Sequence, residues 1–294
     1  MPAQRRPVSP VETLRDHPHL GPTALARVLG RYLRETREVC GFSAKEVAAA
    51  LRASVTKVSR METAKSPLGV RDVALLLEMF GVPDEESVHV LALVEQSTRS
   101  EWFHPYAAAL RHWVLPLLGL EGDAQVIRTF EPHFVPGLLQ TEEYARAVAA
   151  TSPILRDDAT VEARVRVRRE RQDRLLREGG PELWMLLDEA VLWRPVGGRE
   201  VMRRQLEHVL RVMADGSVIV QVAGYEATAV VTPGGAATQL RFADRFLPDM
   251  LYLERSNDGV WLEDDAAVED YRALLDQLSA IAKGRGFTFS GGDS

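Results

Sequence analysis

The chain has 294 residues, of which 46% are hydrophobic, with a single cysteine and a formal net charge of −6. That balance builds a globular core, leaves room for two domains, and excludes a fold stapled by internal disulfides, because Cys40 has no partner in the chain. No apolar run approaches the roughly 20 residues needed to cross a bilayer, and no apolar segment follows Arg5 and Arg6 as a secretory signal requires, so a cytoplasmic protein is expected.

Prolines at 2, 7, 10, 18 and 22, with no periodic apolar pattern, predict a flexible arm over residues 1–22. From Thr23 the pattern turns helical, with Leu25, Val28, Leu29, Tyr32, Leu33 and Thr36 at three- and four-residue spacing. Gly41 stops that helix. Ser43, with Glu46 three residues on, is a capping box that opens a second helix running to about Leu51. Ser54 caps a third, to about Glu62. Residues 70–80 give a fourth, ended by Gly81-Val82-Pro83, and residues 85–95 a fifth, so a helical module is expected over 23–98. Residues 99–121 hold Trp102, Phe103, Tyr106 and Trp113, with Pro116 interrupting, and predict an aromatic-rich connecting helix with a bend. Beyond it, 122–289 mix element types. Strands are expected at 125–130, 183–187, 217–223, 239–242, 250–253 and 260–263, and helices at 141–150, 160–177, 200–214 and 266–282. Strands bunched late with helices around them argue an α+β domain, and we expect its sheet to be mostly antiparallel. Residues 290–294 form a mobile tail.

Charge is unevenly spread. Residues 23–82 carry ten Lys and Arg against six acids, a surplus of four, so the remainder is net acidic by ten. A basic module on an acidic body keeps phosphate attraction on one surface. Within that module, Arg34-x-x-Arg37, Gly41-Phe42-Ser43, Val47-Ala48, Leu51, Ser54, Val58-Ser59-Arg60-Met61-Glu62 and Lys65 follow one another at fixed spacing. Residues 29–77 thereby resemble the XRE-type, phage-repressor-like helix-turn-helix. Val47, Leu51, Val58 and Met61 read as core in any case. The resemblance implies that the third helix enters the DNA major groove, with Val55, Thr56 and Arg60 toward base edges. Arg60 is the strongest reader, because a guanidinium can bridge guanine O6 and N7. It also implies phosphate or groove-wall positions at Arg34, Ser43, Lys45, Ser54, Lys57, Ser59, Lys65 and Ser66, and a structural ion pair between Arg37 and Glu62. Relatives often carry Gln at the second position of the second helix. Ala44 stands there, so that contact is lost or passes to Lys45.

The second half carries a further resemblance, on Arg128-Thr129-Phe130-Glu131-Pro132, Val135-Pro136-Gly137-Leu138-Leu139-Gln140-Thr141-Glu142-Glu143-Tyr144, Arg168-x-x-Arg171-Gln172, Leu187-Asp188-Glu189-Ala190, Gln205-Leu206 and Tyr252-Leu253-Glu254. It looks like the C-terminal domain of unknown function in antitoxin-like XRE regulators of high-GC Gram-positive bacteria, which implies a transcriptional regulator often associated with a small partner protein. The loop 232–238 departs from the usual Gly-x-Phe. Pro136-Gly137 reads as a turn. A docking surface, or a ligand pocket lined by Phe130, Phe134, Trp184 and Trp193, stands beside a purely structural reading. The helix at 160–177 has seven Arg against Glu162, Glu170 and Asp173, and reads as a solvated face laced with salt bridges.

Catalytic signatures are missing. The strand-like run before Asp188-Glu189 mimics a Walker B strand, but no G-x-x-x-x-G-K-[ST] accompanies it. The seven histidines show no ligand spacing, so no metal and no cofactor is expected, and no G-x-S-x-G occurs. We expect no enzyme. The reading is a nucleoid-associated, homodimeric, sequence-specific transcriptional regulator that binds double-stranded DNA through its N-terminal helices and a partner protein or signal through its α+β domain. Two alternatives stand beside it: an antitoxin-like interaction protein sequestering a small partner, and a small-molecule-sensing regulator.

Overall fold

The computed structural model describes residues 9, 20–151, 157–230, 234–244, 246–255 and 257–282. The expected tail, and the arm apart from Ser9 and residues 20–22, lie outside them. The chain divides into two compact units, residues 1–104 with 243–248, and residues 105–242 with 249–294. Among the described residues no helix is long and apolar enough to cross a membrane.

The first unit is built from α1 (Pro22–Val39), α2 (Ala44–Ala50), α3 (Val55–Glu62), α4 (Val70–Met79) and α5 (Asp84–Ser97). Local chemistry sets each boundary. Ser43 and Glu46 form the reciprocal capping box at α2, and Ser54 accepts from the Lys57 N–H at α3. The four helices α1 to α4 end in the same way: the residue after the cap returns its N–H to the third carbonyl back, and the next N–H reaches the fifth. That geometry puts the residue after each cap in the left-handed region. Gly41 and Gly81 fill it freely, whereas Arg52 and Ala64 take φ of 51° with a side chain attached. The core gathers Leu25, Leu29, Tyr32 and Leu33 of α1 with Val47, Val58, Met61, Leu77 and Val94. Gly30 faces the end of α3, where a Cβ would stand 2.8 Å from the Met61 carbonyl oxygen and 2.9 Å from that of Glu62. The unit closes on itself at Glu101, whose carboxylate accepts from the Thr23 N–H (2.9 Å) and hydroxyl (2.5 Å) at the start of α1.

Residues 99–121 do not form the connecting helix expected of them. They are 3-10 turns at His104–Ala109 and His112–Val114 followed by the short α6 (Leu115–Leu120). Pro116 is accommodated in the first turn of α6, where a missing N–H costs nothing.

The second unit holds one six-stranded sheet: β1 (Val126–Glu131), β2 (Glu182–Asp188), β3 (Ile219–Ala223), β4 (Ala236–Arg241), β5 (Met250–Glu254) and β6 (Gly259–Leu262). Its order is β3-β2-β1-β4-β5-β6. The expectation of a mostly antiparallel sheet is corrected. β1 pairs β2, and β2 pairs β3, in parallel, while β4, β5 and β6 add on antiparallel. The reason lies in the connections: α7 (Glu142–Ala150) and α8 (Asp158–Leu175) between β1 and β2, and α9 (Ala190–Trp193) and α10 (Arg199–Ala214) between β2 and β3, are the helical crossovers that parallel neighbours need. The later strands are joined by short links.

The register sorts the side chains onto two faces. On one, Phe130, Leu186 and Ala223 pack with Ala227 of α11 (Tyr225–Val230) and with Leu275 and Leu278 of α12 (Asp265–Ile281). Arg128 ties this face to α12 through Asp276 (2.6 Å) and Ser279 (3.3 Å), its guanidinium lying over Trp184 at 4.7 Å. On the other face, Met185, Thr129, Thr238 and Tyr252 stand in one row across β2, β1, β4 and β5.

A candidate nucleic-acid interface and a cavity in the second unit

On α3, Val58 and Met61 are buried against the core, and Val55, Thr56, Lys57, Ser59 and Arg60 are exposed. The residues expected to read bases therefore share one solvent-facing side of a helix whose other side is locked. Val55 is 47% exposed, an apolar residue held out in solvent. Arg37 donates to both carboxylate oxygens of Glu62, at 2.6 and 3.0 Å, and also to the Phe42 carbonyl. That pair fixes the end of α3 to α1, and the Glu62 hydrogen bond raises the Arg37 pKa.

The phosphate candidates divide. Lys45 and Lys65 are exposed. Arg34 is exposed and paired with Glu38 at 3.0 Å. Lys57 pairs with Asp72 of α4 at 2.6 Å, which offsets its charge. The Ser43 hydroxyl donates to Glu46, whose carboxylate that bond and the Ser43 N–H hold below the usual range. Ser54 is engaged as a cap. Ser66 does not reach outward: its Oγ is covered by protein and has no hydrogen-bond partner among the described residues. Arg60 spends one N–H on the Lys65 carbonyl (3.0 Å), which orients the guanidinium and leaves its other donors available.

The second unit holds a cavity of about 640 Å³, open to solvent, on the sheet face away from α12. Its floor is low because the middle of the sheet carries small side chains, Thr129, Ala236 and Thr238, with Gly234 and Gly235 beside them. One wall is Trp113, Val114, Leu117 and Leu118. Another is the 135–140 segment, whose irregular backbone is held by three glutamines. Gln140 donates to the Val135 carbonyl (2.7 Å), Gln172 to those of Gly137 and Gln140 (3.0 and 2.8 Å), and Gln205 to that of Leu139 (2.6 Å). Buried backbone outside regular elements needs such partners. Sequence reading placed Gln140, Gln172 and Gln205 in a signature without seeing that they stitch one loop.

Helix α8 supplies the roof through Arg164, Val167, Arg168 and Arg171. The reading of this helix as a solvated, salt-bridged face is corrected on that side, though it describes Arg169, which meets Glu142 at 2.5 Å. Arg171 places Nε at 2.7 Å from both oxygens of the buried Glu121. Burial nonetheless pushes the Glu121 carboxyl up to about 7, against the pull of Arg171. Arg164 donates to the Ala109 carbonyl (2.8 Å), and burial lowers its pKa. Arg168 has no hydrogen-bond or ion-pair partner among the described residues; burial, then the like charges of Arg171 and Arg164, bring it down to about 10. Burial, with the nearby charge of Glu254, pushes Glu131 up to about 8.

The aromatic pocket expected from Phe130, Phe134, Trp184 and Trp193 is not formed. Of these only Phe134 lines the cavity. Phe130 lies in the core on the opposite face, Trp184 bonds to Gln221 (2.6 Å), and Trp193 is 71% exposed. Arg168, Trp113 and Tyr252 were missed as cavity residues. The spacing of Arg164, Arg168 and Arg171, four and then three apart, is a one-face signal that could have been read. Among the described residues no cluster of three or more His, Cys, Asp or Glu is placed to hold a metal.

Residues 114–289 match a family described as a domain of unknown function, DUF5753. The chain belongs to that family. The DUF5753 domain takes in all six strands. Ahead of it, residues 28–90 match a helix-turn-helix domain, which supports a DNA-binding regulator and takes in α2 and α3. No curated protein and no solved structure matches the chain.

Proposed function

We propose that this protein is a sequence-specific transcriptional regulator of the XRE type, which binds double-stranded DNA through α3 as a dimer and receives a signal or a small partner protein on its DUF5753 domain. In this reading the chain binds and does not catalyse. One observation carries the DNA part: Thr56, Ser59 and Arg60 stand exposed on the free side of α3, while Val58 and Met61 anchor the other side and the Arg37–Glu62 pair fixes its end. Arg60 and Thr56 take the base edges, and Lys45, Lys65 and Arg34 the phosphates. Dimerisation follows from reach, since a single helix reads only a short half-site.

The test is selection of a bound sequence from random duplexes, followed by gel shift. Arg60→Ala costs about 1–3 kcal/mol of specific binding and relaxes discrimination at one position. An unchanged affinity and footprint would remove the assignment. Light scattering on the complex reads the dimer, and a monomer both free and on DNA overturns it.

A second reading, an interaction protein that sequesters a small partner, draws on Trp193 and Tyr225, which are 71% and 55% exposed on the second unit. Exposed large aromatics are typical anchors of protein interfaces. Co-purification of a small protein at fixed stoichiometry, without specific DNA binding, would favour it.

A further inference from the structure

We infer that the cavity of the DUF5753 domain is a binding site for a small amphipathic anion, its head group paired with Arg168 and its apolar body laid against Trp113, Leu117 and Leu118. The inference rests on reading this domain as the signal-receiving part, and it names the class of signal.

Three observations converge. The first is size and character: about 640 Å³, with an apolar wall on one side and a few polar groups on the other, fits a drug-sized molecule. The second is charge. Of the three arginines on the roof, Arg171 is paired with Glu121, Arg164 meets only a carbonyl, and Arg168 meets nothing among the described residues. A guanidinium drawn partly out of water without a partner is costly. Glu254 attracts it without forming an ion pair. Glu131, the acid on the floor, is held largely in its neutral form at pH 7 by burial. The cavity therefore presents uncompensated positive charge and, in Glu131, a proton donor. The third is a set of orphaned polar atoms. Tyr252 is buried and lines the cavity with Trp113, yet among the described residues neither the tyrosine hydroxyl nor the indole N–H has a hydrogen-bond partner. Buried polar groups left unpaired in a folded protein call for a partner of complementary chemistry. A carboxylate or sulfonate head answers the guanidinium, and an alkyl or aryl body answers the wall.

The probes are decanoate, decanol and decyltrimethylammonium, which share one apolar chain and differ in head charge. The full-length protein is followed by thermal melting and titration calorimetry. Decanoate is expected to bind once per chain and to raise Tm with concentration, whereas the alcohol and the cation do neither. Arg168→Met is expected to raise the Tm of the free protein, because an unpaired, partly buried charge is removed, and to weaken decanoate at least about tenfold. Arg166→Met, on the exposed side of the same helix, is expected to leave decanoate binding as it was. Ala236→Leu fills the floor without touching charge and is expected to abolish binding in a folded protein. Equal responses to all three probes, no response to decanoate, or undiminished decanoate binding by Arg168→Met would each overturn the inference. Gel shift on the same preparations keeps the two readings apart. DNA binding without decanoate binding overturns the cavity site alone, and decanoate binding without DNA binding overturns the regulator reading alone.

Discussion

Arg37 and Glu62 lie 25 residues apart and hold each other through two charge-assisted hydrogen bonds, with both side chains only 11% exposed. The pair joins α1 to the last residue of α3, so the end of the helix proposed to meet DNA is set by a residue in α1. Removing one member strands the other in a poorly solvated place. Glu62→Ala is expected to cost about 3 kcal/mol. The double change Arg37→Ala with Glu62→Ala costs less than the two singles added. Urea melts of all three variants read both figures, and strict additivity would show that the pair does not act as a unit.

Gly30 makes room for the same helix end. A Cβ there would press on two backbone carbonyls, which cannot swing away as a side chain could. Gly30→Ala is expected to destabilise the first unit by about 1–3 kcal/mol and to weaken DNA binding through displacement of α3. Although alanine is the better helix former, a variant as stable as the parent would refute the close approach.

Two helix ends carry side chains where glycine is favoured. Ala64 follows the cap of α3, and Arg52 that of α2, both at φ of 51°. Replacing either by glycine relieves left-handed strain at some entropic cost. We expect Ala64→Gly to gain about 0.5–1 kcal/mol, visible as a raised Tm. A loss of that size would mean that the α3 end is relaxed as it stands.

The acid on the cavity floor gives a pH prediction. Burial raises the folded pKa of Glu131 from 4.5 to about 8, helped by Glu254 and opposed by Arg171. The folded state thus holds this proton more tightly than the unfolded chain does. Its contribution is complete below pH 4.5 and is lost as pH rises through 8. Glu131→Gln, which keeps the neutral shape, is expected to match the parent near pH 4 and to melt increasingly above it from pH 6 to 9. A constant difference across that range would count against the shift.

How much of this was legible depends on distance along the chain. Caps and glycine stops are local, so Ser43, Ser54 and Gly41 marked helix ends from sequence. The six strands were also visible as short runs such as Ile219–Ala223, because β-branched residues declare themselves. Strand direction was not, since nothing in β2 says which neighbour it meets; the mixed sheet follows from crossovers whose length alone hinted at it. Nothing in the sequence pattern singled out Gly30, although a glycine within a helix costs about 1 kcal/mol against alanine and so asks for a reason. The roof of the cavity was hidden by its composition. Seven arginines in one helix suggest a solvated face, and Arg168 turns inward because small residues on β1 and β4 leave space beneath it.

Glu101 reaches back 78 residues to receive the first free N–H of α1, that of Thr23, and the Thr23 hydroxyl. The practical outcome concerns dissection of the molecule. A DNA-binding fragment cut at the end of α5 would keep every helix and lose the anion at the positive end of the first one, where such a charge is worth about 0.3–1 kcal/mol. A boundary drawn after residue 104 keeps that anion, so a fragment that preserves it is longer than its helices suggest.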